Sequence, residues 1–203
     1  MDHTKHIISA FAAGIAVSIG GIAYLQTGYA WLFPIGLYIV CFYGLDLFTG
    51  RICYYRGRHL LSRYLLIYLF NTVAAYLTGV VIAYAKPGLV EKTQSLVAAK
   101  MVNIWGMIPL AVLCNVCIFV AVDTYKRTST AFMGGNPLGL IFATTVFVAC
   151  GFEHCIANAF YFGVAGEFSA KGLVFLVVNM IWNGIGGIVA CRIAEMTKGK
   201  ART

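Results

Sequence analysis

The chain has 203 residues, 61% of them hydrophobic and only 11% charged, with a formal net charge of +8. A soluble domain carries about 25% charged residues, so this composition excludes a soluble enzyme, a disordered tail and a disulfide-stapled secreted module, and leaves an integral membrane protein. In a soluble chain the basic surplus would raise nucleic-acid binding; here the basic residues sit in short loops between apolar stretches, and no nucleic acid is expected.

A spanning helix needs about 20 apolar residues. Six stretches qualify as candidates: residues 7–25, 31–48, 64–85, 104–122, 137–162 and 173–191. The first begins near Lys5 like a signal peptide, but its apolar run exceeds the usual 7–15 residues and no small-x-small cleavage site follows cleanly, so a retained helix is expected. The connecting segments are too fragmented for a soluble domain, and one transmembrane domain over 1–203 is expected. With the N-terminus inside, the inner segments hold Lys5, Arg51, Arg56, Arg58, Arg63, Lys126, Arg127, Arg192, Lys198, Lys200 and Arg202, against Lys86, Lys92, Lys100 and Lys171 outside. That asymmetry predicts a multi-pass protein of the cell (inner or plasma) membrane with both termini cytoplasmic. The arginines at 51–63 and the basic tail read as topology and lipid-headgroup contacts.

Two spans are unlike simple helices. The second ends in G-L-D-L-F-T-G (44–50), and the fifth contains G-F-E-H-C-I-A-N (151–158). Each places glycine, then an acid two residues later, at membrane depth. Each is also the middle span of three, which predicts inverted repeats over about 7–85 and 104–193, with helices two and five broken. The glycine clusters 14/20/21, 134/135 and 184/186/187 read as close helix packing. Of the seven cysteines, Cys114 and Cys117 form C-x-x-C inside a span with no second pair, so packing is preferred to a metal site.

A charge at the bilayer centre costs roughly 2.5–3.5 kcal/mol on insertion scales, so Glu153 and His154 must face protein or water. The carboxylates of Glu153 and Asp46 are expected to accept backbone N–H groups freed at the helix breaks. His154 is expected to line a permeation path, because imidazole alone titrates near neutrality, around 6.5 when unperturbed; the bland alternative is a satisfied core histidine. Asn71, Asn158, Asn179 and Asn183 read as interhelical hydrogen-bonding groups, and Asn115 as a group near the path.

These residues carry a resemblance. G-F-E-H-C-I-A-N with Phe147 before it, D-L-F-T-G at 46–50 preceded by F-P-I-G-L at 33–37, and L-C-N-V-C at 113–117 together resemble the formate/nitrite transporter family over residues 11–194. The resemblance implies an aquaporin-like six-helix protomer in a homopentamer, each protomer with its own pore. It also implies transport of a small monovalent weak-acid anion, formate or nitrite first, hydrosulfide or lactate otherwise, with protons and without cofactor or metal. By position it makes His154 the central pore histidine, with Thr49 and Asn115 beside the path. Lys100, in A-A-K-x-x-x-x-W, matches the vestibule lysine. Phe33, Leu37, Leu47, Phe48, Ile118 and Phe147 match the constrictions, while Asp46, Glu153 and Asn158 support the breaks.

The chain departs from the family pattern in Cys155 beside the histidine, in a short stretch between Thr49 and Asn71 that predicts a truncated second half of helix two, and in the lack of an amphipathic segment before helix one. The expected mechanism is electrostatic attraction by Lys100, protonation near His154 as the dielectric falls, and passage of the neutral acid through apolar rings that block hydrated ions. Two other readings stand beside it. One is a membrane-embedded enzyme using His154, Glu153 and Cys155; His3, His6 and His59 lie at predicted span ends and offer no metal set. The other is a neutral-solute pore, although paired N-P-A repeats are absent.

Overall fold

A computed structural model of the chain describes residues 3–57, 60–128 and 135–200. Arg58, His59, Gly134 and Arg202 lie outside the described residues, as do the side chains of His3, Lys198 and Lys200. Among the described residues the regular structure is helical: α1 (His3–Thr27), α2 (Pro34–Phe42), α3 (Phe48–Ile52), α4 (Leu61–Ala85), α5 (Val90–Met101), α6 (Ile104–Arg127), α7 (Leu138–Ala149), α8 (Cys155–Ala165) and α9 (Ala170–Lys200). Of these, α1, α4, α6 and α9 are long and apolar enough to cross a membrane. The second and fifth predicted spans are pairs of short helices, α2 with α3 and α7 with α8. The α3 half has only five residues, in line with the short stretch before Asn71.

Helix ends differ from the apolar runs where local chemistry extends them. α6 continues beyond the predicted residue 122 to Arg127, with Lys126 and Arg127 in its last turn, where positive charge favours the helix dipole. Its start is capped by Asn103, whose side chain accepts from Gly106 N at 2.9 Å. α5 was not among the expected elements. It is too short and too polar to span, exposing Glu91 and Gln94 while burying Thr93 and Val97, and it carries Lys100.

The packing follows a matched pattern. α1 lies against α4 and α2, as α6 lies against α9 and α7; α4 then packs on α8, as α9 packs on α3. Small residues permit these approaches. A Cβ at Gly79 of α4 would strike the Phe160 carbonyl, and one at Gly163 of α8 would strike the Tyr76 carbonyl.

α2 and α7 also end alike. Gly44 and Gly151 both take φ +66°, a left-handed conformation that glycine adopts without a Cβ penalty. The next N–H reaches back five residues in each case: Leu45 to the Val40 carbonyl and Phe152 to the Phe147 carbonyl, both at 2.9 Å. This is the bonding of a Schellman stop, so glycine followed by an apolar residue ends each half-helix.

Candidate functional site

After each stop the chain must restart a helix, leaving N–H and carbonyl groups unpaired in the interior. Asparagines from the long helices close them. In the first half, Asn71 of α4 accepts from Phe48 N at 2.8 Å and donates to the Asp46 carbonyl at 3.0 Å and the Ala10 carbonyl. In the second half, Asn183 of α9 accepts from Cys155 N at 2.9 Å and donates to the Glu153 and Ala111 carbonyls. Each asparagine thus ties a carbonyl two residues before the restart, the N–H of the residue opening it and the first helix of its half.

This corrects the expectation for the carboxylates. Glu153 takes no freed N–H. Its Oε2 instead receives Lys100 Nζ at 2.7 Å and Asn158 Nδ2 at 2.8 Å. Asp46 lies between His6 Nδ1 and Arg51 Nε, each at 2.8 Å. The acids balance cations, while amides, which carry both donor and acceptor, do the capping. Asn158 also donates to Asn179 Oδ1, and Asn179 donates to the Glu153 carbonyl. The mid-span asparagines are therefore interhelical bonds, as read from the sequence. The Arg51 and Arg63 side chains engage Asp46 and His6, and Arg56 pairs with Glu195, rather than serving lipid contact alone.

His154 stands at the N-cap of α8. Its Nδ1 accepts from Ala157 N at 3.1 Å, and its Nε2 lies 3.1 Å from Thr49 Oγ1 in the first turn of α3. The backbone donor occupies the Nδ1 lone pair, so a neutral ring carries its hydrogen on Nε2 and donates it to Thr49. This bond joins the two breaks, 105 residues apart in sequence.

A narrow cavity of about 60 Å³ reaches His154 on one side, lined by Phe33, Lys100, Phe147, Asn158, Tyr24 and Tyr161 among others. Phe33 and Phe147 meet edge to face at 5.6 Å, and Phe147 stacks on His154 at 5.7 Å. A larger cavity of about 360 Å³ is lined by Leu37, Leu47, Gly50, Arg51 and Lys126. Thus Phe33 and Phe147 belong to one cavity and Leu37 and Leu47 to the other. Phe48 and Ile118 are buried and line neither. Asn115 is wholly buried too. It holds the Thr49 carbonyl through Nδ2 at 3.1 Å, beside Cys53 Sγ on the same carbonyl. Cys155 is wholly buried and lines neither cavity. Lys100 faces the first cavity but is bound to Glu153, with its side chain 13% exposed. Sequence reasoning missed Asn71 and Asn183 as the clamps of the breaks; their mid-span positions were the visible signal.

The chain matches the family model described as "Formate/nitrite transporter" over residues 1–196. The chain belongs to the formate/nitrite transporter family. It is 28% identical to a "Probable formate transporter" of Methanothermobacter thermautotrophicus, an alignment covering 91% of this chain and 84% of that protein. It is 27% identical to "Formate channel FocA" of Haemophilus influenzae, covering 75% of this chain and 63% of that one. Among solved structures, "FNT family ion channel" superposes with a TM-score of 0.82 at 19% identity, covering all 100% of this chain and 91% of that one. "Pentameric formate channel with formate bound" superposes at 0.75 and 20% identity, covering 98% and 96%. The fold of this formate/nitrite transporter family member is therefore that of the channels. Its relatives are channels and transporters, not enzymes, which removes the enzyme reading of His154, Glu153 and Cys155.

Proposed function

We propose that this family member passes a small monovalent weak-acid anion, formate or nitrite, with protons, across a cell membrane. The observation that carries the reading is the His154–Thr49 bond between two cavities walled by apolar side chains. A bare anion crosses such walls at high cost, while its neutral acid crosses them cheaply. The anion enters the narrow cavity beside Lys100. Glu153 already neutralises that ammonium, so Lys100 offers directed hydrogen bonds more than net attraction. Beyond Phe33 and Phe147 the acid meets the Nε2–H of His154 and the Thr49 hydroxyl. Because the imidazole hydrogen is committed to Thr49, the threonine hydroxyl is left to donate onward to the solute, and a proton entering from the same side as the anion neutralises it near the ring. On the far side Leu37 and Leu47 form the second apolar passage before the acid ionises again.

The assembly belongs to the same reading. The chain is one transmembrane domain whose halves, about 7–85 and 104–193, are inverted repeats. Five copies form a homopentamer with a pore in each protomer, the basic end of each facing the cytoplasm. The matched glycine stops and asparagine clamps support the repeat, and the printed description of the pentameric relative supports the assembly.

Flux of formate, nitrite, hydrosulfide and lactate into liposomes, with and without a pH gradient, tests this reading. Uptake of formate or nitrite that rises with an inward proton gradient is expected. Uptake of none of these anions, or conduction of hydrated halide at equal rate, overturns it.

A further inference from the structure

One face of α8 lines the narrow cavity: His154 at its N-cap, then Ala157, Asn158 and Tyr161, a spacing that sets side chains on one side of a helix. Asn158 spends both Nδ2 hydrogens, on Glu153 Oε2 and on Asn179 Oδ1, each at 2.8 Å. Its own Oδ1 is therefore an acceptor, and among the described residues no protein donor reaches it. Three residues on, Tyr161 is 5% exposed, and among the described residues its hydroxyl bonds to no protein group either. Neither oxygen is sealed off, unlike the partnerless hydroxyls of Tyr54 and Tyr125, and the cavity is the open space that Asn158 and Tyr161 both line. A long side chain on a helix leans back over the preceding turn, which carries the Tyr161 ring toward Asn158. Nothing in the sequence reading gave Tyr161 a role.

We infer that Tyr161 is a specificity-determining residue that selects a protonated oxyacid, its hydroxyl donating to one oxygen of the acid while Asn158 Oδ1 accepts the acid's O–H; this assignment rests on the proposed function and names the solute class that the narrow cavity prefers. A phenol both donates and accepts, whereas a carboxamide oxygen only accepts. A bare anion has no hydrogen for Asn158 Oδ1 and leaves that oxygen against negative charge. The neutral acid satisfies both groups, and a buried polar group without a partner is costly. Formic and nitrous acids each carry an O–H and a second oxygen. Hydrogen sulfide carries only sulfur, a weak acceptor, so it gains little from the phenol. Glu153, the acid bonded to Asn158, is balanced by Lys100 at 2.7 Å, so its charge does not by itself repel the solute.

The test uses the full protein in liposomes and the Tyr161→Phe variant, which loses the hydroxyl and keeps the ring; its melting temperature and oligomeric size are checked first. The KM for formate uptake is expected to rise about five- to tenfold with a smaller change in maximal rate, while whatever hydrosulfide uptake the unaltered protein has stays the same. A merely structural role lowers the uptake of both solutes together. That result, or an unchanged KM for formate, overturns the assignment and leaves the proposed function standing. A second measurement does not depend on transport: broadening of the carbon-13 line of labelled formate by the protein in detergent at mildly acidic pH, compared between the unaltered protein and the variant. If the unaltered protein takes up no formate, the proposed function fails. Broadening that Tyr161→Phe abolishes then still supports Tyr161 as an oxyacid-binding residue, and broadening that is absent, or equal in both proteins, overturns it.

Discussion

His154 is held by a backbone donor on one nitrogen and the Thr49 hydroxyl on the other. The ring therefore keeps its orientation only while Nδ1 is free to accept, and a residue without that acceptor loses both the cap and, in the proposed reading, the polar step of transport. His154→Phe is expected to lower formate flux in liposomes by about tenfold, since a buried polar group left without its partner costs about 1–3 kcal/mol; unchanged flux removes the ring from the mechanism. Lys100 and Glu153 make a different case. Breaking a buried ion pair on one side costs about 3–5 kcal/mol, whereas replacing both partners is near neutral. Lys100→Met is expected to lower the melting temperature in detergent, and adding Glu153→Gln should restore most of it. Flux separates the roles: a double variant that is stable but poorly conducting shows that the ammonium itself serves the solute, while full conduction shows that it only balances Glu153.

At the level of elements, glycine stops and asparagine clamps decide where the half-helices begin and end. Gly151 sits at φ +66° with nothing near its missing Cβ, so Gly151→Ala tests backbone conformation alone. A loss of about 1–2 kcal/mol is expected in a denaturation series, and no loss would show that the stop tolerates a side chain there. Asn183→Leu removes an acceptor for Cys155 N and donors for two carbonyls in the buried interior. Each orphaned group costs about 1–3 kcal/mol, so the variant is expected to unfold at lower temperature than Gly151→Ala does. The opposite ranking would show that the clamp is dispensable. α5 belongs to this scale as well, because a short amphipathic helix lying between spans brings Lys100 back over the second break.

Across the whole molecule, apolar side chains face outward along the long helices. Ile181, Ile185, Val189 and Ile193 form an exposed stripe on α9, and Leu65, Leu69, Val73 and Leu77 one on α4. Such faces need lipid or a second copy. Native mass spectrometry in mild detergent is expected to give five copies, and a stable monomer that still conducts would show that the pore does not depend on assembly.

The sequence alone determined the apolar, all-helical class, the two interrupted stretches and the family. Each of these rests on local composition or on short motifs that the chain carries contiguously. Asp46 and Glu153 were legible as acids beside glycine stops, but their partners were not. Lys100 is 53 residues from Glu153 and Asn183 is 30, and nothing in spacing says which polar group reaches which. The same holds for Asn115, legible as a polar residue in an apolar helix, whose partner, the Thr49 carbonyl, only folding selects. Tertiary structure decided these pairings. A buried donor or acceptor must find a partner wherever the packed helices bring one within about 3 Å, and that choice is made by the assembled bundle rather than by any segment of it.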